Sequence, residues 1–196
     1  MLQIRKKVFE TNSSSTHSFT YDTTGKELTK EEIIERFNKK YSLVYIYCGD
    51  LIIKLGEYDW NWETFREPDE KISYILTMLK TNILDNMISD DKYEYMYSFN
   101  LKEEIKNKVE KEIINSLKET VTFKEIEKFL RELNLEFDNI IFENLQYSYI
   151  DHQSVITEKE LLENELNNDV IGFITNLSSS FQTGNDNSSP WDYDEY

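Results

Sequence analysis

Thr11-Asn12-Ser13-Ser14-Ser15-Thr16-His17-Ser18 is where this sequence concentrates groups able to do chemistry. Six small polar side chains run in a row into one of only two histidines, and Arg5-Lys6-Lys7 lies just upstream in a chain that is otherwise acidic. A core strand would alternate apolar and polar residues, and a flexible linker would carry more glycine. In extended backbone, Ser13, Ser15 and His17 share one face, while Ser14, Thr16 and Ser18 share the other. Hydroxyls and backbone N–H groups together suit a phosphate, and the nearby basic side chains suit its charge. His17 beside Ser15 has the pairing of a base with a hydroxyl nucleophile. Asn12, Ser13, Ser14 and Thr16 then read as ligand-holding groups. The same residues also suit an ordinary polar loop with a surface histidine.

The second histidine lies in Asp151-His152-Gln153-Ser154, at the end of an expected strand. Asp151 beside His152 suits orientation of the imidazole or a shared metal, and Gln153 and Ser154 suit polar contacts to a ligand. All of these types also occur in plain turns. Both histidines thus sit in short polar clusters next to expected strands, near opposite ends of the chain. A third cluster, Gly184-Asn185-Asp186-Asn187, offers oxygens to a cation or to sugar hydroxyls, or simply makes a turn. Trp60 and Trp62 suit stacking on a ring or packing at a helix start. Neither a metal nor a cofactor is specified by these patterns.

Established templates fit poorly. His152-Gln153-Ser154-Val155 has the His-x-Ser/Thr-apolar form of two-histidine phosphoesterases, but His17-Ser18-Phe19-Thr20 has Phe where the companion hydroxyl belongs. Glu163-Asn164-Glu165 has the Glu-x-Glu spacing of ADP-ribosyltransferases. The strands are not spaced as in that family, and a helix splays the two carboxylates. There is no Walker-type phosphate loop and no His-Glu-x-x-His.

Positioning these groups requires a scaffold, and 196 residues with 39% hydrophobic and 14% aromatic content suffice for one domain with a real core. Thr29 with Glu32 predicts a capped helix to about Lys40. Leu43–Cys48 and Leu51–Leu55 predict a hairpin around Gly49-Asp50. Pro68 predicts the start of a central helix, with Ile72, Ile75, Leu76, Leu79 and Ile83 at helical spacing. Leu101 to Leu117, and a helix opened by a Thr122/Glu125 capping box, predict a helical hairpin over about 101–134, a candidate insertion. Phe137–Phe142 and Leu145–Ile150 read as strands, Thr157 with Glu160 as a short capped helix, and Val170–Thr175 with Ser178–Gln182 as a final strand pair. The expected fold is therefore α+β: a mainly antiparallel sheet covered by helices, spanning 1–187 as one domain, with 188–196 an acidic flexible tail.

The formal net charge is −16, from 38 acidic and 22 basic residues. Such a field disfavours direct binding to nucleic acid or an anionic membrane. It suits a protein that docks on a basic, nucleic-acid-binding partner. Cys48 is the single cysteine, so no internal disulfide forms. The absence of a long apolar run or a secretion-type apolar core predicts a cytoplasmic protein.

The opening from Arg5 to Ser18 resembles the start of a group of phage and prophage proteins of unassigned function. Gly56-Glu57-Tyr58-Asp59-Trp60, Asp151-His152-Gln153-Ser154 and Thr183-Gly184-Asn185-Asp186-Asn187 are similar to later landmarks of that group. The resemblance implies a phage-associated origin, hence the cytoplasm of a host cell, and a single site built from the polar clusters. It carries no activity. Two expectations follow. One is an enzyme or binding protein for a phosphate-bearing, nucleotide-like small molecule, with His17, His152, Asp151 and Ser15 as reacting or orienting groups. The other is an acidic interaction protein that occupies a basic groove on a host nucleic-acid-binding or defence protein.

Overall fold

A 22-residue helix, α2 (Pro68–Ser89), forms the centre of the molecule. The computed structural model describes residues 15–58, 63–89, 103–150 and 155–185. From Lys71 to Thr81 every side chain of α2 is buried. A helix buried on all sides must satisfy each polar group it carries, and this one does so by tethering its neighbours. Ser73 Oγ donates to the Lys54 carbonyl at 2.7 Å, and Thr77 Oγ1 accepts from Gly56 N–H at 3.2 Å. Lys80 Nζ donates to the Ser148 carbonyl at 2.6 Å. Lys71 Nζ donates to the carbonyls of Phe173 at 2.9 Å and Asn176 at 2.7 Å.

The fold is α+β, with the strands in three small sheets around α2. The first is antiparallel, in the order β1 (Ser15–Thr20), β8 (Ser180–Asn185), β5 (Glu63–Phe65). In the second, β2 (Val44–Tyr47) pairs antiparallel with β3 (Asp50–Lys54), which pairs parallel with β6 (Ile140–Glu143). In the third, β4 (Glu57–Tyr58) runs parallel to β7 (Tyr149–Ile150). The stretches 137–142 and 145–150 therefore do not pair with each other as a hairpin. Each lies beside an earlier strand, and the intervening helices supply the long crossover that parallel pairing needs.

The helix α1 (Lys30–Phe37) carries the expected Thr29/Glu32 capping box and buries Ile33 and Phe37. The β2–β3 turn falls one residue earlier than expected. Its two central residues are Cys48 and Gly49, both at positive φ (52° and 88°), which is the twist a two-residue hairpin favours. Ser42 Oγ bonds both the carbonyl and the N–H of Val44, masking part of the outer edge of β2.

The helices α3 (Glu103–Glu119) and α4 (Val121–Glu132) are separated only by Thr120, and their apolar faces join the same core as α2. The N-cap of α4 is Thr120, whose hydroxyl accepts from Phe123 N–H, and not Thr122. Thr122 is buried, and its N–H is taken by Glu158 Oε1 at 2.7 Å.

After α5 (Glu158–Glu160), capped by Thr157 as expected, Leu161–Glu165 widens into a turn of π-helix. Val170–Thr175, expected as a strand, is a helix, α6. A short apolar run reads equally as either when it is buried on all sides. Here Asp169 decides the outcome, because its carboxylate accepts the Gly172 N–H at 2.8 Å and opens a helix. Lys71 then holds the carbonyls at the other end of α6. Among the described residues no helix is long and apolar enough to cross a membrane.

Candidate functional site

The candidate site sits at one end of the β1–β8–β5 sheet. The register pairs Phe19 with Phe181 and Phe181 with Phe65. These three rings face α2 and pack with Tyr58 and Tyr74. Alternation puts the residues two positions along on the same face. The next row is accordingly His17, Thr183 and Glu63, paired in that order across the sheet. Thr183 is buried, His17 is part-buried and Glu63 is exposed. The pair after that in register is Ser15 with Asn185. One sheet face thus passes from stacked aromatics to a histidine, a hydroxyl and a carboxylate within two residues.

Tyr74 forms the floor beneath His17. Its ring stacks on Phe181 at 3.8 Å between centroids and meets Tyr58 edge-on at 4.9 Å. Its hydroxyl lies 2.6 Å from His17 Nδ1. The ring is fully buried. Burial holds the phenol well above its ordinary pKa, and the charges of Tyr58 and Glu165 push the same way. The hydroxyl therefore keeps its proton at any physiological pH. Leaving such a buried O–H without an acceptor would cost about 1–3 kcal/mol. His17 is its hydrogen-bond partner, so the imidazole is oriented from below.

Of the residues singled out by sequence, the structure brings two groups together. Ser15, Thr16 and His17 lie in β1, directly opposite Asn185, Gly184 and Thr183 of β8. The stretch Thr183–Asn185 is therefore strand, not the turn expected from its composition. Asn12, Ser13, Ser14, Asp151, His152, Gln153, Ser154, Asp186, Asn187, Trp60 and Trp62 lie outside the described residues. The described residue before Asp151 is Ile150, the partner of Tyr58 in the β4–β7 pair. Tyr58 touches both Tyr74 and Phe181. The strand leading to Asp151 and the strand carrying His17 thus border the same aromatic cluster.

Two residues of this row and its floor carry no signal in the sequence. Tyr74 lies in the apolar run of α2, where a tyrosine looks like core, and Glu63 lies in an aromatic stretch.

A second polar centre lies one turn before Tyr74 on α2, beside Phe173, whose ring packs on Phe19. Lys71 Nζ sits 5.0 Å above the Phe173 ring, between the two carbonyls it binds. Loss of solvent lowers its pKa to about 7, against the opposing pull of Glu67 and Glu70. Lys80 is lowered to about 8, again by burial first. Tyr21 donates to Asp169, the N-cap of α6, and its phenol is raised by burial and then by that carboxylate.

Among the described residues no group of three His, Cys, Asp or Glu side chains is placed to hold a metal ion. A shallow depression of about 430 Å³ on α4 is lined by Lys124, Glu127, Lys128, Arg131 and Glu132. Its charges are engaged locally, Arg131 with Glu127 at 2.8 Å and Lys124 with Glu119 at 2.8 Å. No family model, no curated protein and no solved structure matches the chain.

Proposed function

We propose that this chain is a phage-associated protein of the host cytoplasm that binds or processes a phosphate-bearing, nucleotide-like small molecule at the end of the β1–β8–β5 sheet. The observation that supports this reading most is the β1–β8 register. It sets the strand end at Ser15 and Thr16 beside Gly184 and Asn185, with His17 against Thr183. Two polar clusters from opposite ends of the chain become neighbours over an aromatic floor. The hydroxyl and amide groups suit phosphate oxygens. In this reading His17 and His152 are the acid/base or ligand-holding groups, Asp151 orients, and Ser13 to Thr16 hold phosphate. Calorimetric titration with adenine and guanine nucleotides tests it on wild type, His17→Ala and His152→Ala. Loss of binding or turnover in the variants is the expected outcome. Unchanged behaviour in both variants sinks the idea.

A second reading draws on the placement of charge. Lys71 and Lys80, two of the 22 basic residues, are drawn into the core, which leaves the exterior still richer in carboxylates. In this reading the protein is an acidic inhibitor of a basic host nucleic-acid-binding or defence protein, and its binding weakens steeply with salt. A pulldown from host lysate at low salt that recovers no basic protein counts against it.

A further inference from the structure

We propose that the open edge of β6 (Ile140–Glu143) takes up an extended, basic segment of a partner protein as a further strand. This names the contact for the acidic-inhibitor reading and rests on that reading for the partner's positive charge. The open edge stands without it.

The β2–β3–β6 sheet has two edges, and the chain treats them differently. Along a strand, successive residues turn their N–H and C=O groups to opposite edges. In β2, the Leu43 carbonyl accepts from Lys54 N–H, so Val44 faces outward, and Ser42 Oγ occupies both of its backbone groups. In β6, the carbonyls of Asn139 and Glu143 accept from Leu51 and Leu55 N–H at 2.9 and 3.0 Å, and so face β3. Ile140 and Phe142 alternate with them and present N–H and C=O to the other side. Among the described residues nothing bonds these four groups. Such a row is a template for another strand, and proteins commonly guard it with lysine or proline. The sequence of β6, Ile-Ile-Phe-Glu, has neither.

Side chains decide what kind of strand fits. On the outer face of the sheet, away from the core, the register sets Tyr45, Ile52 and Ile141 in one row. Tyr45 Oη reaches across β3 and donates to Glu143 Oε2 at 3.0 Å. Ile52 is 5% exposed, whereas Ile141, at the edge, is 43% exposed. Glu143, two residues along the same face, is exposed as well. Between Arg131 and Lys159 the chain has no basic residue, and Glu136 and Asp138 lie exposed just before β6. Lys54 is the one basic residue of the three strands. A second copy would set one chain of net charge −16 against another. An incoming strand with arginine or lysine two positions from a β-branched apolar residue instead matches Glu143 and Ile141. Backbone bonds then supply affinity, and alternate side chains select the partner.

The test uses the full chain and two short synthetic peptides that alternate arginine and valine. The second is N-methylated throughout, which keeps charge and side chains and removes every backbone donor. Amide hydrogen exchange read by NMR follows Ile140 and Phe142, which should exchange as open amides in the free protein. At low salt the unmodified peptide should protect both, and calorimetry should show it binding at least about tenfold tighter than the methylated one, the worth of one or more hydrogen bonds. Glu143→Gln should weaken that binding, and Ile141→Lys, which guards the edge, should abolish the protection. Should Ile141→Lys not fold, the two peptides on wild type decide. Protection of either amide in the free protein overturns the proposal. If it grows with concentration, a second copy holds the edge; otherwise this chain's own residues do. Equal binding of both peptides with the two amides unprotected overturns it too, and leaves the acidic-inhibitor reading standing on charge alone. No binding of either peptide at low salt overturns the edge contact and that reading together.

Discussion

Lys71 Nζ donates to the Asn176 carbonyl at 2.7 Å from a position with no solvent exposure. An amine so placed is neutralised more easily than one in water, which is why its pKa falls to about 7 from 10.5. Between those values the unfolded chain binds a proton that the folded chain does not. Folding stability therefore rises with pH from about 7, by at most about 1.4 kcal/mol per pH unit for this group. Lys80 adds the same sign from about pH 8. Above pH 10 the trend reverses, because Tyr58 and Tyr74 are held protonated in the fold while unfolded tyrosines ionise. Urea titrations from pH 6 to 11 should show a maximum near pH 10, and Lys71→Met should flatten the rise between pH 7 and 8.

Phe181 connects the core to the candidate site. Its ring stacks on Tyr74 at 3.8 Å and on Phe65 at 4.5 Å, one row from Thr183. Phe181→Ala should cost about 3–5 kcal/mol in denaturant melts, the range for emptying a buried aromatic site. Thr183→Val keeps the shape and removes one hydroxyl beside His17. If the site holds a nucleotide, calorimetry should show about tenfold weaker binding, the worth of one hydrogen bond. Equal affinity in this variant would remove Thr183 from the site.

The sequence disclosed elements whose signals are local. The apolar spacing of α2, the Thr29/Glu32 box and the Cys48–Gly49 region all act within a few residues, and each produced the expected element. Partner choice was not local. Nothing in Ile140–Glu143 says that its neighbour is β3 and not the strand that follows it. The helix at Val170–Thr175 depends on Asp169 below it and Lys71 at its far end, and Lys71 is about a hundred residues away in sequence. His17 could be found because a histidine among hydroxyls is conspicuous. Tyr74 could not, because a tyrosine in an apolar helix is ordinary until its hydroxyl is seen against an imidazole.

The start of α4 separates two threonines that look alike in sequence. Thr120 accepts the Phe123 N–H at 3.2 Å, so Thr120→Ala should destabilise the protein by about 1 kcal/mol. Thr122 is buried, and its hydroxyl oxygen has no hydrogen-bond partner among the described residues. Thr122→Val replaces that hydroxyl with a methyl of similar size and should stabilise by roughly 1 kcal/mol. The capping box expected from sequence assigns the loss to Thr122 instead. Melting temperatures of the two variants, measured side by side, decide which threonine is the cap.

Gly172 offers the sharpest check on α6. By helix propensity alone, glycine to alanine inside a helix should stabilise by about 1 kcal/mol. Here a Cβ on residue 172 would run into the Asp169 carboxylate. That carboxylate caps α6 through the Gly172 N–H and accepts from Tyr21. Moving it breaks both interactions, each worth about 1 kcal/mol. Gly172→Ala should therefore destabilise by about 1–2 kcal/mol, against the propensity. Asp169→Ala should lose about as much, and adding Gly172→Ala to it should cost nothing further, since the carboxylate that clashes is gone. A double-mutant cycle from urea melts reads this directly. Were residues 170–175 an extended strand, the two changes would simply add, because a strand has no N-cap for the carboxylate to supply.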